Sequence, residues 1–307
     1  MKLFVTWSPH DMSSFLDEYV DGYSVSLALL SRRKLEMAAV MGIRRLLGIS
    51  KEVLLDSLTA TIASASINPY DPRSQLHILS IQLWLRPDYI VHKDYPVLSK
   101  TLTERERFKL LERTIRNAEV MSRLEEEYGL KNVIYVIQGW NLSSVAYCAK
   151  RYVELGVKMY GLGSLISLGH KEFAERLKTV REIIGYDTHL HIFGALKPYH
   201  LELVKKYVDS IDTSTPIKAA AMGYVLVEER GCVRRIRIDR ASIDDLKLPL
   251  RLRNRLEHVI NALRERQEDR PPLTELKRVL AAVNAVSYTH LRAHETSLHL
   301  VCRLLLE

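Results

Sequence analysis

The chain is expected to fold as α/β, specifically a (β/α)8 TIM barrel with a small basic C-terminal α+β appendage. Three observations lead there. Short β-branched or aromatic runs alternate with segments of helical period from Lys2 to Asp212. Most of the connections between them are a few residues long. Finally, Asp56, Asp94, Gln138, Gly163, Gly194 and Asp212 all stand at the C-terminal ends of the predicted strands, the face on which barrel active sites are built. A doubly wound open sheet would show the same alternation, but it gives no reason for polar residues to gather at strand ends.

The elements follow in order. The run from Lys2 to Trp7 ends at Ser8-Pro9 and reads as the first strand. A helix from about Asp11 to Tyr19 precedes the second run, Tyr23 to Leu29. From Arg32 to Leu47, Leu35, Ala38, Ala39, Gly42, Leu46 and Leu47 are spaced for one amphipathic helix that stops at Gly48. Glu52 to Asp56 is the third strand. Asp71-Pro72 opens a helix whose Leu76, Leu79, Leu83 and Trp84 share a face, and Tyr89 to Asp94 is the fourth strand. Thr103 to Tyr128 is a long charged helix stopped by Gly129, and Val133 to Gln138 is the fifth strand. Helix 142–155, strand 158–162, helix 170–184, strand 188–193 and helix 199–207 lead to the eighth strand, Val208 to Asp212. Pro216 prevents that strand from continuing.

The domain reading is a barrel over residues 1–220, a basic appendage over 221–285 and a non-native tail over 286–307. The appendage has two strands around Arg230-Gly231, an arginine-rich helix from Leu250 to Glu268, and a further helix after Pro271-Pro272. The tail resembles a translated sequencing adapter, so its three histidines, His290, His294 and His299, are set aside, and native sequence is expected to continue past about residue 285.

Among 307 residues, 47% are hydrophobic and 27% charged, as in a soluble globular protein. An early Pro9 and Asp11 interrupt any signal-peptide core, and no apolar run approaches the length of a membrane span. A cytoplasmic protein without membrane contact is expected. Cys148, Cys232 and Cys302 lack Cys-x-x-Cys spacing, which signals neither a disulfide framework nor structural zinc. A net charge of +8 fits a polyanionic partner. Arg234, Arg235, Arg237, Arg251, Arg253 and Arg255 are candidate nucleic-acid contacts, a solvated charged surface being the plain alternative.

Val208 to Pro216 carries two acids, Asp209 and Asp212. Counting strands places Asp212 at the tip of the eighth and Asp209 at its entrance, in a supporting role. Carboxylates converging on one pocket can divide the breaking of a glycosidic bond, one attacking the anomeric carbon and the other moving the leaving group's proton. Asp212, Asp56 and Asp94 are the candidates, and their crowding is expected to raise at least one pKa toward neutrality. A helix cap or loop ion pair is the plain alternative for any one of them alone. A divalent-metal site using His191 or His92 is the competing functional reading, but no Glu-x-x-His or His-x-His at the strand tips completes it. Gly161-Leu-Gly163-Ser164 lacks both the dinucleotide fingerprint and a P-loop lysine, so its small residues are read as letting a planar base approach the backbone.

Leu54-Leu-Asp56-Ser57, Tyr89-Ile-Val-His-Lys-Asp94-Tyr-Pro96, Val136-Ile-Gln138-Gly139, Tyr160-Gly-Leu-Gly163-Ser164-Leu165, Phe193-Gly194 and Val208-Asp-Ser-Ile-Asp212 together resemble the tRNA-guanine transglycosylase superfamily, in order and spacing. The resemblance implies exchange of guanine for a 7-deazaguanine through a glycosyl-aspartate. Asp212 would be the nucleophile and Asp56 the general acid/base. Asp94, Gln138 and Gly139 would line the purine, and the amides of Gly163, Ser164 and Leu165 would hold its carbonyl.

Three departures from the family pattern stand out. Asp-Ser-Gly-Gly is Asp56-Ser57-Leu58-Thr59 here, Gly-Gly-Leu is Gly163-Ser164-Leu165, and Asp212 is followed by Thr-Ser-Thr-Pro. Residues 217–285 hold Cys232 as their one cysteine, where the tRNA enzymes carry a Cys-x-Cys-x-x-Cys and His zinc cluster. Zinc is therefore not expected, nor any cofactor beyond the 7-deazaguanine co-substrate. The chain is similar in this to the DNA-guanine transglycosylase branch, which implies DNA as the polymer, with tRNA as the alternative. A catalytically silent nucleic-acid-binding paralogue is the reading from another class, and a homodimer or partner subunits of a modification system fit either.

Overall fold

The computed structural model describes residues 1–7, 16–57, 75–99, 101–165, 168–194, 201–229, 232–240, 243–246, 248–264 and 276–286. Eight parallel strands close in sequence order: β1 (Lys2–Thr6), β2 (Gly22–Ser26), β3 (Glu52–Asp56), β4 (Tyr89–Val91), β5 (Val133–Ile137), β6 (Met159–Leu162), β7 (His189–Ile192) and β8 (Ser210–Thr213). The ring is sealed by β1 against β8, with Phe4 opposite Asp212. The fold is the expected (β/α)8 barrel.

Strand alternation sorts the side chains into two cores. Phe4, Leu54, Val91, Ile134 and Val136, with Tyr89, Met159 and Phe193, fill the barrel interior. Two glycines make this packing possible: a Cβ on Gly22 would lie 2.4 Å from the Phe4 ring, and one on Gly161 would lie 2.4 Å from the Phe193 ring. The opposite faces of the strands pack on α1 (Arg32–Met41), α2 (Ile43–Leu47), α3 (Gln75–Leu85), α4 (Glu104–Tyr128), α5 (Leu142–Glu154), α6 (His170–Ile184) and α7 (Leu201–Tyr207). Lys2 Nζ, bonded to both Glu52 carboxylate oxygens and to the Tyr89 hydroxyl, occupies the N-terminal ends of the strands.

Several expectations need correction. The helix over 32–47 is broken at Gly42, whose φ of +84° leaves the helical region; Arg86 closes the gap by donating to the Val40 carbonyl. Of the helix expected at 11–19, residues 16–19 form a turn and 11–15 lie outside the described residues. The face expected to be buried on α3 is the wrong one, because Leu76, Leu83 and Trp84 are exposed while Gln75, Ile78, Leu79, Gln82 and Leu85 are buried. A helix this apolar all round has no preferred phase, and the backbone of the neighbouring strands decides it. Gln82 Nε2 donates to the Leu55 and Val91 carbonyls, and Gln75 Oε1 accepts from Lys93 N.

After β8, Pro216 opens the short helix α8 (Thr215–Ala221), followed by the antiparallel pair β9 (Tyr224–Glu229) and β10 (Cys232–Arg237) and by α9 (Leu250–Arg264). A last helix, α10, spans residues 276–286. Its buried Asn284 accepts from Leu226 N and donates to the carbonyls of Pro216 and Tyr224, joining α10 to α8 and β9. Of the tail set apart from the sequence, all but Val286 lies outside the described residues. No helix among the described residues is long and apolar enough to cross a membrane.

Candidate active site

Asp56, Gln138 and Gly163 continue the inward faces of β3, β5 and β6 beyond Leu54, Val136 and Gly161, at the C-terminal mouth. Asp94 reaches the same mouth by a different route. β4 ends at Val91 rather than running to residue 94 as expected. His92 N still donates to the Ile134 carbonyl of β5, and from Lys93 on the chain is held by helix side chains: Gln75 accepts from Lys93 N, Asn117 donates to Lys93 O, and Thr114 accepts from Tyr95 N. This clamp turns Asp94 over the barrel.

The result is a run of hydrogen bonds across four strand ends. Ser164 Oγ donates to Gln138 Oε1, Gln138 Nε2 donates to Asp94 Oδ2 at 2.6 Å, and Ser57 Oγ donates to Asp94 Oδ1 at 3.4 Å. Ser57 N, in turn, donates to Asp56 Oδ1 at 2.7 Å. Asp56, Asp94 and Gln138 are thereby brought together as the sequence suggested, with Ser57 as an unforeseen link.

Backbone geometry explains the small residues. A Cβ on Gly163 would lie 2.6 Å from Gln138 Nε2, so the glycine is what lets the amide lie against β6. Gly139 admits the N-terminus of α5 instead, since a Cβ there would meet Val145 N at 2.6 Å. Ser164 occupies a left-handed conformation, φ +54°, which costs a non-glycine residue about 1–2 kcal/mol. Its hydroxyl bond to Gln138 offsets part of that cost. Leu165 points into the outer core, so its side chain does not line the mouth.

Arg176 on α6 is a site residue that the sequence reading does not single out. Fully buried, it donates to the carbonyls of Gly139, Trp140 and Ser164 and pairs with Glu172, locking the loops after β5 and β6 together. The signal for it is an arginine amid Phe173, Leu177 and Val180 on the buried stripe of a helix.

Asp212 stands apart on β8. It is buried, accepts from Gly194 N across the β7–β8 seam, and shares a hydrogen bond with the Ser24 side chain on β2. Burial pushes its carboxyl up to about 6, while those two hydrogen bonds pull the other way. The expected raised pKa is therefore present, but its cause is desolvation rather than crowding by other acids, and it falls on the candidate nucleophile. Asp209, as expected, is structural: it receives Arg181 and Leu190 N at 2.8 Å each.

The histidines weighed as metal ligands have other occupations. His92 Nδ1 accepts from Val136 N and its Nε2 meets the Tyr152 hydroxyl, on the outer side of the sheet. His191 Nδ1 meets Ser210 Oγ, and burial lowers its pKa to about 3. Among the described residues no three His, Cys, Asp or Glu side chains gather as a ligand set.

The six arginines do not form one face. Alternation puts Arg235 and Arg237 on one side of the β9–β10 ribbon and Arg234 on the other. Helical spacing likewise separates Arg253 from Arg251 and Arg255. Arg253 pairs with Asp244 and Glu257, and Arg251 with Glu18. Leu58 and Thr59 lie outside the described residues.

The family described as queuine tRNA-ribosyltransferase matches residues 8–254. A DNA-guanine transglycosylase from Salmonella montevideo is 27% identical over 86 residues, which are 28% of this chain and 21% of that relative. The chain thus covers about a fifth of the relative's length.

Proposed function

The chain belongs to the queuine tRNA-ribosyltransferase family, and on that premise we propose that it is a base-exchange transglycosylase, a pentosyltransferase that replaces guanine in a polynucleotide with a 7-deazaguanine. The observation that carries this reading is the division of the mouth into two parts. A hydrogen-bonded run from Ser164 to Asp56 offers a planar base its donors and acceptors, and a separate buried carboxylate, Asp212, stands on the opposite side of β1 and β2.

An Asp212 oxygen attacks C1′ of the target nucleotide, and the C1′–N9 bond breaks with its electron pair leaving on guanine. Asp56 supplies the proton that neutralises the departing base. The incoming 7-deazaguanine then gives its ring N–H proton to Asp56, its nitrogen attacks C1′, and the ester to Asp212 opens to regenerate the carboxylate. Atoms and charge balance without a cofactor. Asp94 and Gln138 hold the base edge, and the amides of Ser164 and Leu165 hold its carbonyl; the Gly163 amide, expected to share in this, is instead given to the Ile137 carbonyl at 3.0 Å. The base must leave its stack to reach Asp212, at a cost of a few kcal/mol recovered in the pocket.

DNA is our preferred polymer. The name of the matched relative and the single cysteine in residues 217–285 support it. tRNA is the second reading, favoured by the description of the family itself. Arg234, Arg235, Arg237, Arg251, Arg253 and Arg255 are the proposed contacts to the phosphates, and Arg251 and Arg253 would exchange their pairing with Glu18, Asp244 and Glu257 for it. The test offers radiolabelled guanine, with DNA and tRNA side by side, to wild type and Asp212→Asn. Incorporation that survives the substitution overturns the nucleophile, and the labelled polymer identifies the substrate.

A further inference from the structure

Ser26 closes β2, and its hydroxyl, though buried, has no hydrogen-bond partner among the described residues. Buried polar groups are normally matched, so an unmatched one at a mouth calls for an explanation. Its position supplies one. β2 lies between β3 and β1, and β1 in turn pairs with β8. Gly22, Ser24 and Ser26 are the inward residues of β2: Gly22 takes the Phe4 ring, Ser24 bonds Asp212, and Ser26 is the register partner of Asp56. The unmatched hydroxyl therefore sits on the arc between the two carboxylates. Phe4 packs the interior beneath it, so a partner must arrive from the mouth.

We propose that Ser26 is a sugar-binding residue, whose hydroxyl hydrogen-bonds an exocyclic oxygen of the target nucleotide's pentose while Asp212 attacks C1′. The inference rests on the transglycosylase reading above and deepens it. The base is an unsuitable partner because the transglycosylase reading assigns its hydrogen-bonding groups to the other arc, where Asp94, Gln138 and Ser164 are bonded into one run. The ring oxygen is also unsuitable, since a donor there would withdraw electrons from the oxocarbenium-like transition state. A hydroxyl or ester oxygen of the sugar can take or give the bond without that penalty.

The experiment compares wild type and Ser26→Ala for exchange of radiolabelled guanine into a DNA duplex and into tRNA, with thermal melting and binding of free 7-deazaguanine measured on the same preparations. The expected result is about a tenfold loss of kcat/KM for the polynucleotide, the worth of one neutral hydrogen bond. Free-base affinity is unchanged, the acid limb of the pH profile stays in place, and the melting temperature is equal or higher because an unmatched hydroxyl has gone. Exchange at the wild-type rate overturns the inference and leaves the transglycosylase reading standing. A lowered melting temperature with equal losses in base binding and exchange overturns it in favour of a structural role. No exchange by wild type on either polymer overturns the transglycosylase reading and this inference with it.

Discussion

The Ser164 hydroxyl donates to Oε1 of Gln138 and so fixes which end of that amide meets Asp94. Without this bond the amide could turn over and present an oxygen to a carboxylate. Ser164→Gly is expected to relieve the left-handed strain, changing stability by about 1 kcal/mol or less, and to loosen base recognition. Saturation kinetics should show the KM for the incoming base several-fold higher with kcat little changed. An unchanged KM would mean that Gln138 is oriented by Asp94 alone.

Gly163→Ala tests the same amide from the other side. The new Cβ would lie 2.6 Å from Gln138 Nε2, and the amide must move off Asp94 to admit it. Base affinity is expected to fall at least tenfold, measured by calorimetry with the free base, while the melting temperature moves by only a few degrees.

The pH profile should report Asp212. An attacking carboxylate must be ionised, so kcat/KM is expected to fall tenfold per unit below about pH 6. Ser24→Ala removes a hydrogen bond that favours the charged form and should move this limb to higher pH. A limb that stays in place in the Ser24 variant would assign it to another group.

The same burial links Asp212 to stability, with an opposite sign to that of a salt-bridged acid. The folded state holds the proton up to about pH 6, whereas an unfolded aspartate releases it near about pH 4. Stability present at pH 4 is therefore lost as pH rises through 6, by up to about 3 kcal/mol. Asp212→Asn, neutral throughout, should melt several degrees above wild type at pH 8 and close to it at pH 4, while its exchange is abolished.

Arg176 should matter chiefly through the carbonyls it satisfies. Arg176→Met takes the arginine donor from the buried carbonyl of Gly139 and the part-buried carbonyls of Trp140 and Ser164 and is expected to cost about 3 kcal/mol. Melting should fall by about 6–12 °C for a domain of this size. A loss below about 1 kcal/mol would mean that the two loops hold themselves.

The barrel and the acids at its mouth are legible in the sequence because both depend on local pattern. Each strand is a short apolar run, and a charged residue where such a run stops is conspicuous. Less legible is everything set by distant backbone. Gln75, Gln82, Thr114, Asn117 and Arg176 are polar residues on buried helix faces, and what they satisfy are carbonyls and amides remote in sequence. The phase of α3 escapes the sequence for the same reason, since Gln82 is inside because Leu55 and Val91 need a donor. The cause of the Asp212 shift escapes it too, because burial is a property of the closed barrel, not of the acids beside it in the chain.

The pairing of Phe4 with Asp212 joins the first strand to the last. A nascent chain therefore carries an ordinary, water-exposed aspartate until the first and last strands meet, and only ring closure gives that residue the burial that raises its pKa. The shifted titration and the completed topology coincide at a single carboxyl, so an isotope label there would let one NMR signal count the molecules that have finished folding.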